Sequence, residues 1–158
     1  MAIVPVGGLW ETHITVSDLD RSVAFYRDVV GLTLAHTVPE RHAAFFWIGK
    51  PRQAMLGVWS IHTSPMMMKL HYAFEVTLAD AVASVPALRE AGLEPRSGRG
   101  EAIDEPVVIP WIPAASVYFR DPDDHSLEFI AMLPDAPDPG AAWMPLSQWL
   151  KLHPEPRR

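Results

Sequence analysis

The stretch LHYAFEV, residues 70–76, decides the fold because its side chains alternate between apolar residues and polar or small ones. Alternate residues of a β-strand point to opposite faces of the sheet. The apolar face consists of Leu70, Tyr72, Phe74 and Val76, and the other face consists of His71, Ala73 and Glu75. The stretch therefore predicts a strand with one face packed under a helix and an imidazole on the other.

The same pattern occurs near the N-terminus, in WETHITVSD at residues 10–18. Here the apolar face consists of Trp10, Ile14 and Val16, and the opposite face consists of Glu11, His13 and Thr15. Both strands place one histidine at the same position of the face that no helix covers. This correspondence indicates an internal repeat.

Each of the two strands leads into a predicted helix, for which Ser17 and Thr77 are the expected N-caps. A short strand and a hairpin follow each helix, and GKPR (49–52) and DPDD (121–124) are the matching turns. A gapless alignment of the two hairpins places Leu56 at the position of Glu128. The order is thus βαβββ twice.

The two modules span residues 9–62 and 69–133 of a single domain, 1–158, and a proline-rich tail follows at 134–158. We treat the tail as an appendage that contains a short amphipathic helix within AAWMPLSQWLKL (141–152). The predicted fold class is α+β. The aromatic side chains expected in the helix-covered core are Trp10, Trp47, Phe119 and Phe129.

Composition and charge exclude several kinds of protein. The 158 residues suit one compact domain, and the formal net charge of -6 without a lysine or arginine block argues against nucleic-acid binding. The chain has no cysteine, which excludes disulfides and thiolate metal sites. No apolar run reaches the ~20 residues that span a bilayer, and the N-terminus lacks the features of a signal peptide. We therefore expect a cytoplasmic protein with no membrane partner.

The predicted helix-free faces carry the candidate ligands. In the first module this face is expected to include Ala44, Phe46, Ile48, Ala54, Leu56 and Val58, and in the second module Ser116, Tyr118, Arg120, Ser126, Glu128 and Ile130. If both modules form one curved sheet, His13, His71 and Glu128 meet on its concave side. Two imidazoles and a carboxylate suit Fe(II), Mn(II) or a similar ion. A single strand histidine is more often a hydrogen-bonded core residue, but equivalent positions in a repeat favour a metal site.

Three motifs resemble the vicinal oxygen chelate superfamily of glyoxalases, bleomycin-resistance proteins and extradiol dioxygenases. The motifs are HITVSDLDRSVAFYRDVVGL (13–32), LHYAFEV (70–76) with LREAGLEP (88–95), and SVYFRDPDDHSLEFI (116–130), in which Asp124 replaces the usual glycine. The resemblance covers residues 9–133. It implies that two βαβββ modules form one curved mixed sheet with a concave metal cleft. It also implies a divalent cation (iron, manganese, nickel or zinc) in that cleft, and a homodimer.

Departures from the family's ligand pattern narrow the range of candidate reactions. Glyoxalase I uses four protein ligands, whereas the alignment places Leu56, which is not a carboxylate, at the fourth position. The remaining set of two histidines and a glutamate fits ring-cleaving dioxygenases and fosfomycin-resistance transferases. Fosfomycin is a small dianionic phosphonate that needs a basic pocket, and the predicted faces offer only Arg120, with Lys69 nearby.

We therefore expect an enzyme acting on a small substrate with two adjacent oxygens and an apolar or aromatic body, with ring-cleaving dioxygenation as the first candidate reaction. The alternatives are thiol transfer, lyase or isomerase chemistry, and a metal-free protein that sequesters a drug. Tyr118 is the candidate catalytic residue. The candidate pocket residues are Glu11, Thr15, Phe46, Leu56, Glu75, Trp111 and Ser116, and the histidines expected at the surface are His36, His42, His62, His125 and His153.

Overall fold

Both halves of the chain fold in the predicted order of strand, helix and three strands. The computed structural model describes residues 8–60 and 68–154, and the chain divides into two units between Leu70 and His71. The first module contains β1 (Glu11–Val16), α1 (Leu19–Asp28), β2 (Thr33–Val38), a short 3-10 helix (Pro39–Arg41), β3 (Ala43–Ile48) and β4 (Ala54–Ser60). The second contains β5 (His71–Glu75), α2 (Leu78–Glu90), β6 (Val107–Ile109), β7 (Ala114–Arg120), β8 (Ser126–Met132), β9 (Met144–Pro145) and α3 (Leu146–Leu152).

The two sheets share one four-strand topology, to which the second sheet adds β9 at its edge. The strand order is β1-β4-β3-β2 in the first module and β5-β8-β7-β6-β9 in the second. In each sheet the first strand runs parallel to the last strand of the hairpin, and all other neighbours are antiparallel. The two βαβββ modules are therefore confirmed. The single curved sheet and its metal cleft stay predictions.

The helix starts differ slightly from expectation. Asp18, not Ser17, caps α1, and its carboxylate accepts a hydrogen bond from the Arg21 N–H at 2.9 Å. Thr77 caps α2 as predicted, and this helix runs through Pro86 without a break. Within the described residues, no helix is long and apolar enough to span a bilayer.

Strand pairing identifies the side chains that share a face, since paired residues of neighbouring strands point the same way. In the second module Ala73 is paired with Glu128, and Glu128 is paired with Tyr118. Two residues earlier on both strands, where the side chains point to the same face, His71 is paired with Ser126. His71, Glu128 and Tyr118 therefore lie on one face, as predicted. The opposite face contributes the buried side chains Val117, Phe119 and Leu127.

The prediction for the β3–β4 hairpin is wrong. His13 is paired with Gly57, and Gly57 is paired with Phe45. Phe46 and Leu56 therefore point to the opposite face, where both are fully buried. The ring of Phe46 packs on Tyr26 of α1, with ring centroids 6.0 Å apart. Phe46 and Leu56 are consequently core residues under the helix, and not part of a pocket beside His13.

The error has a physical reason. The strand AAFFWI is apolar at every position, so its alternation does not reveal which side chains face the helix. Trp47, expected in the core, is paired with Met55, which is paired with Glu11 on the face of His13. A shift by an odd number of residues moves every side chain of a strand to the other face.

The C-terminal segment is part of the second module, so its treatment as an appendage is wrong. β9 pairs with β6, and the predicted helix is present as α3. Trp149 of α3 is fully buried with Val108 and Ala115. Its indole N–H donates a hydrogen bond to the carboxylate of Asp135 at 2.9 Å. The tail therefore contributes the largest fully buried side chain of the described residues.

Replacement of Trp149 tests this role in the core. We expect Trp149→Ala to lower the free energy of unfolding by about 3–5 kcal/mol, because it removes a buried indole and leaves a cavity. The matched control is Trp111→Ala, since Trp111 is 58% exposed, and it should change stability by less than about 0.5 kcal/mol. Both values come from chemical denaturation. Equal stability of the two variants would contradict the core role of the C-terminal helix.

Candidate functional site

The second module brings two of the three predicted ligands together. Nε2 of His71 lies 3.4 Å from Oε2 of Glu128. Nδ1 of the same imidazole is 3.0 Å from the backbone carbonyl oxygen of Ser126, which can only accept a hydrogen bond. Nδ1 therefore carries a proton, and Nε2 is the ring nitrogen that faces the carboxylate. This is the ring orientation that second-shell hydrogen bonds impose on metal-binding histidines.

Glu128 is the buried charge of this face. The residue is 3% exposed, and its Oε1 has no hydrogen-bond partner among residues 8–60 and 68–154. Burying a carboxylate without compensation costs several kcal/mol, so such a group is protonated or faces a cation. An imidazole nitrogen and a carboxylate oxygen that face each other are two of the donor types that bind divalent cations in proteins. The residues present therefore suit a metal ion.

Tyr118 adjoins both groups. It is paired with Glu128 across β7 and β8, and its ring stacks on the imidazole of His71 with centroids 5.6 Å apart and planes 23° apart. Burial, followed by the charge of Glu128 and a hydrogen bond to it, raises the pKa of the Tyr118 hydroxyl well above its ordinary value. At neutral pH the phenol is therefore protonated and acts as a hydrogen-bond donor.

A cavity of about 270 Å³ opens beside this cluster. Its walls include His71, Tyr118 and Ser126, together with two arginines, Arg96 and Arg120. Arg96 was missed in the sequence because it lies in no strand of its own. Two backbone hydrogen bonds attach it to the edge of β7: its N–H donates to the Tyr118 carbonyl at 2.7 Å, and the Tyr118 N–H donates to its carbonyl at 2.9 Å.

His13, in the first module, has different surroundings. Its Nε2 lies 3.0 Å from Oε1 of Glu11, the residue two positions before it on the same face. Its ring is 5.9 Å from that of Phe45 and 5.4 Å from that of Trp59, between centroids. The ring also lies over Gly57, where an added Cβ would be 2.6 Å from the His13 Cδ2 atom. Gly57 therefore makes room for the imidazole.

Strand pairing corrects the equivalence of Leu56 and Glu128. Glu128 is paired with the residue two positions after His71, and the residue two positions after His13 is Thr15, which is paired with Trp59. Trp59 therefore holds the corresponding place in the first module. The turns of the two hairpins align without a gap. The residue of β4 that corresponds to Glu128 nevertheless lies three positions after Leu56. The conclusion that no carboxylate occupies this place is unchanged.

The complete three-residue set stays a prediction. Within residues 8–60 and 68–154, no three histidine, cysteine, aspartate or glutamate side chains form a group that could hold a metal ion. His71 and Glu128 are brought together in the second module. His13 belongs to the first module and pairs with Glu11 there.

The remaining candidate pocket residues have varied places. Ser116 is buried on the face of Glu128, and its hydroxyl has no hydrogen-bond partner among the described residues. Glu75 lies exposed on that same face, paired with Ile130. Thr15 is buried opposite Trp59. Trp111 is exposed in the turn between β6 and β7 and does not line the cavity.

Among the other histidines, His125 contradicts its expected surface position. It is fully buried in the turn between β7 and β8, where its backbone N–H donates a hydrogen bond to the Asp121 carboxylate at 2.8 Å. His36 and His42 are exposed, as predicted. His153 stacks on Trp149 with ring centroids 3.8 Å apart. His62 lies outside the described residues.

The family assignment follows from a match over most of the chain. The profile of the Glyoxalase/Bleomycin resistance protein/Dioxygenase superfamily matches residues 8–129. The chain belongs to this superfamily. A curated relative, Metallothiol transferase FosB from Shouchella clausii (strain KSM-K16), is 29% identical over 131 residues, which cover 78% of this chain and 79% of that protein.

Two solved structures have a similar fold. An integron cassette protein from the mobile metagenome of the Halifax Harbour sewage outfall is similar with a TM-score of 0.68 and 27% identity, covering 80% of this chain and 100% of that one. Lactoylglutathione lyase from Agrobacterium tumefaciens is similar with a TM-score of 0.64 and 24% identity, covering 81% and 96%. The latter similarity concerns the fold alone.

The contact between Gly57 and the His13 ring gives a testable prediction. In Gly57→Ala the new methyl group would lie too close to the imidazole, so the ring must leave its place over residue 57. We expect the His13 ring resonances in NMR spectra to lose the shifts caused by the neighbouring aromatic rings. Gly8→Ala is the control, because an added Cβ there has open space. Unchanged His13 resonances in Gly57→Ala would contradict the described ring position.

Proposed function

We propose that this protein is a metal-dependent enzyme of the glyoxalase superfamily, with His71 and Glu128 as cation ligands and His13 as the third. The observation that carries the proposal is the buried Glu128. Its Oε1 has no partner in the part of the chain that the structure describes, and its Oε2 faces the Nε2 of His71. A nitrogen and oxygen donor set suits iron, manganese, nickel or zinc. The similarity to a protein named Metallothiol transferase FosB also supports the proposal that the chain binds a metal.

The groups around the pair define what the chain contributes to a reaction. When bound, a divalent cation supplies Lewis acidity toward oxygens of the substrate. Tyr118, whose hydroxyl stays protonated, donates a hydrogen bond to an oxygen that gains negative charge. The hydroxyl of Ser116 is buried on the same face, has no partner within the described ranges 8–60 and 68–154, and offers a second donor. The substrate class that fits is a small molecule with adjacent oxygens.

Two reaction classes are the leading candidates. Ring-cleaving dioxygenation is consistent with the set of two histidines and one glutamate, and with the aromatic surroundings of His13. Thiol transfer gains support from the relative named Metallothiol transferase FosB. Proton transfer of the lyase type is disfavoured because Trp59, and not a carboxylate, corresponds to Glu128 in the first module. A homodimer stays a prediction from the family resemblance.

Metal binding by ligand variants tests the proposal. We expect anaerobically purified protein to contain stoichiometric metal by elemental analysis. Titration calorimetry should show that His13→Ala, His71→Ala and Glu128→Gln each weaken binding by roughly 100-fold or more. The matched control Glu90→Gln changes an exposed carboxylate at the end of α2 and should bind metal like the native chain. Native affinity in the Glu128→Gln protein would contradict the proposal.

Assays on the metal-loaded protein separate the reaction classes. Oxygen uptake with catechols by the iron form selects dioxygenation, whereas consumption of a thiol without oxygen uptake selects group transfer. Purified protein that takes up no metal but binds an apolar ligand tightly would instead identify a metal-free sequestering protein. This last outcome would overturn the enzymatic proposal.

A further inference from the structure

The cavity beside His71 is unusually basic for a protein with a net charge of -6. Arg96 and Arg120 both line it, together with the hydroxyl-bearing residues Tyr118 and Ser126. Guanidinium groups bind carboxylates and phosphates through paired, charge-assisted hydrogen bonds. The lining therefore has the chemistry of an anion site, which the sequence did not predict.

The strand register builds this site. Arg96 is paired with Tyr118 at the edge of β7, so its side chain shares the face of Tyr118 and Glu128. Arg120 lies two residues after Tyr118 in the same strand and is paired with Ser126, the partner of His71. The two guanidinium groups therefore belong to the same face as the candidate metal ligands. A bound anion would lie beside them.

The charge of Arg96 is not neutralised locally. Its NH1 donates a hydrogen bond to the Gly100 carbonyl at 2.8 Å, and within residues 8–60 and 68–154 it has no carboxylate partner. Arg120 is more loosely paired, since its Nε lies 3.7 Å from Oδ1 of the exposed Asp124. Its NH1 donates to the Asp124 carbonyl at 3.1 Å. Both side chains retain N–H groups for a ligand.

The loop that carries one wall of the cavity is held in place. The hydroxyl of Ser97 accepts hydrogen bonds from the N–H groups of Arg99 and Glu101, at 3.2 and 3.3 Å. At Gly98 an added Cβ would lie 2.7 Å from Cζ3 of Trp143 and 3.1 Å from the ring of Tyr118. The C-terminal segment therefore packs against this wall through Trp143. A preorganised wall lowers the entropic cost of binding.

We propose that Arg96 and Arg120 bind the anionic group of a small substrate, a carboxylate, phosphonate or phosphate, next to the candidate metal site. The inference rests on the proposed function for its catalytic meaning, but anion binding itself needs no metal. The volume of about 270 Å³ is slightly below that of pockets for drug-sized ligands, so the substrate is a compact molecule. The anionic group would orient adjacent oxygens toward His71 and Glu128.

Calorimetric titration of metal-free protein with inorganic phosphate, methylphosphonate and acetate tests the site. We expect phosphate to bind, and Arg96→Gln and Arg120→Gln each to weaken it roughly tenfold or more, since each loses a charge-assisted contact. Arg96→Lys should give an intermediate loss, because lysine keeps the charge but not the planar fork. The dianions should bind more tightly than acetate if both guanidinium groups take part.

Controls separate this inference from the metal proposal. Arg89→Gln removes an arginine of the same module that pairs with Asp104 and lines no part of the cavity, so its phosphate affinity should be native. Glu128→Gln should lose metal binding but keep phosphate binding. If native protein binds none of the three anions, or if Arg96→Gln and Arg120→Gln bind like Arg89→Gln, the anion site is wrong. A variant that loses metal binding but still binds phosphate is consistent with the anion site, whereas native protein that binds phosphate but no metal counts only against the metal proposal.

Discussion

The pairing of a buried glutamate with a histidine across two parallel strands is the constraint on which the candidate site depends. The register of β5, β8 and β7 places Ala73, Glu128 and Tyr118 side by side, with His71 at the next level. The Glu128 carboxylate is 3% exposed, and one of its oxygens has no partner in the described part of the chain, so its burial is costly. That cost disappears when a cation lies between Glu128 and the Nε2 of His71, and this is the physical basis of the proposed function.

The repeat supplies one scaffold twice, but the two modules use it for different chemistry. Beside His71, the corresponding face carries Glu128 and hydrogen-bonding groups. Beside His13 the same places hold Trp59 and Gly57, with Phe45 next to them. The second module therefore contributes charge and hydrogen bonds, and the first contributes an aromatic surface.

The fold was predictable from the sequence where alternation was clear. LHYAFEV alternates strictly and so does HITV (13–16), so the faces of His13 and His71 were predicted correctly. AAFFWI is apolar throughout, and an alignment through the turns placed Phe46 and Leu56 on the wrong face. Arg96 joins the sheet through a single bridge, which has no periodicity to detect. The burial of Trp149 likewise depends on tertiary packing of a short tail helix.

Anomalous diffraction from crystals grown with zinc tests the central claim most directly. A bound ion should give a peak about 2.0–2.2 Å from Nε2 of His71 and from a carboxylate oxygen of Glu128, the ordinary zinc–nitrogen and zinc–oxygen distances. The third protein ligand would be identified in the same map. Zinc peaks only at other positions, with no ion within bonding distance of His71 or Glu128, would contradict the account.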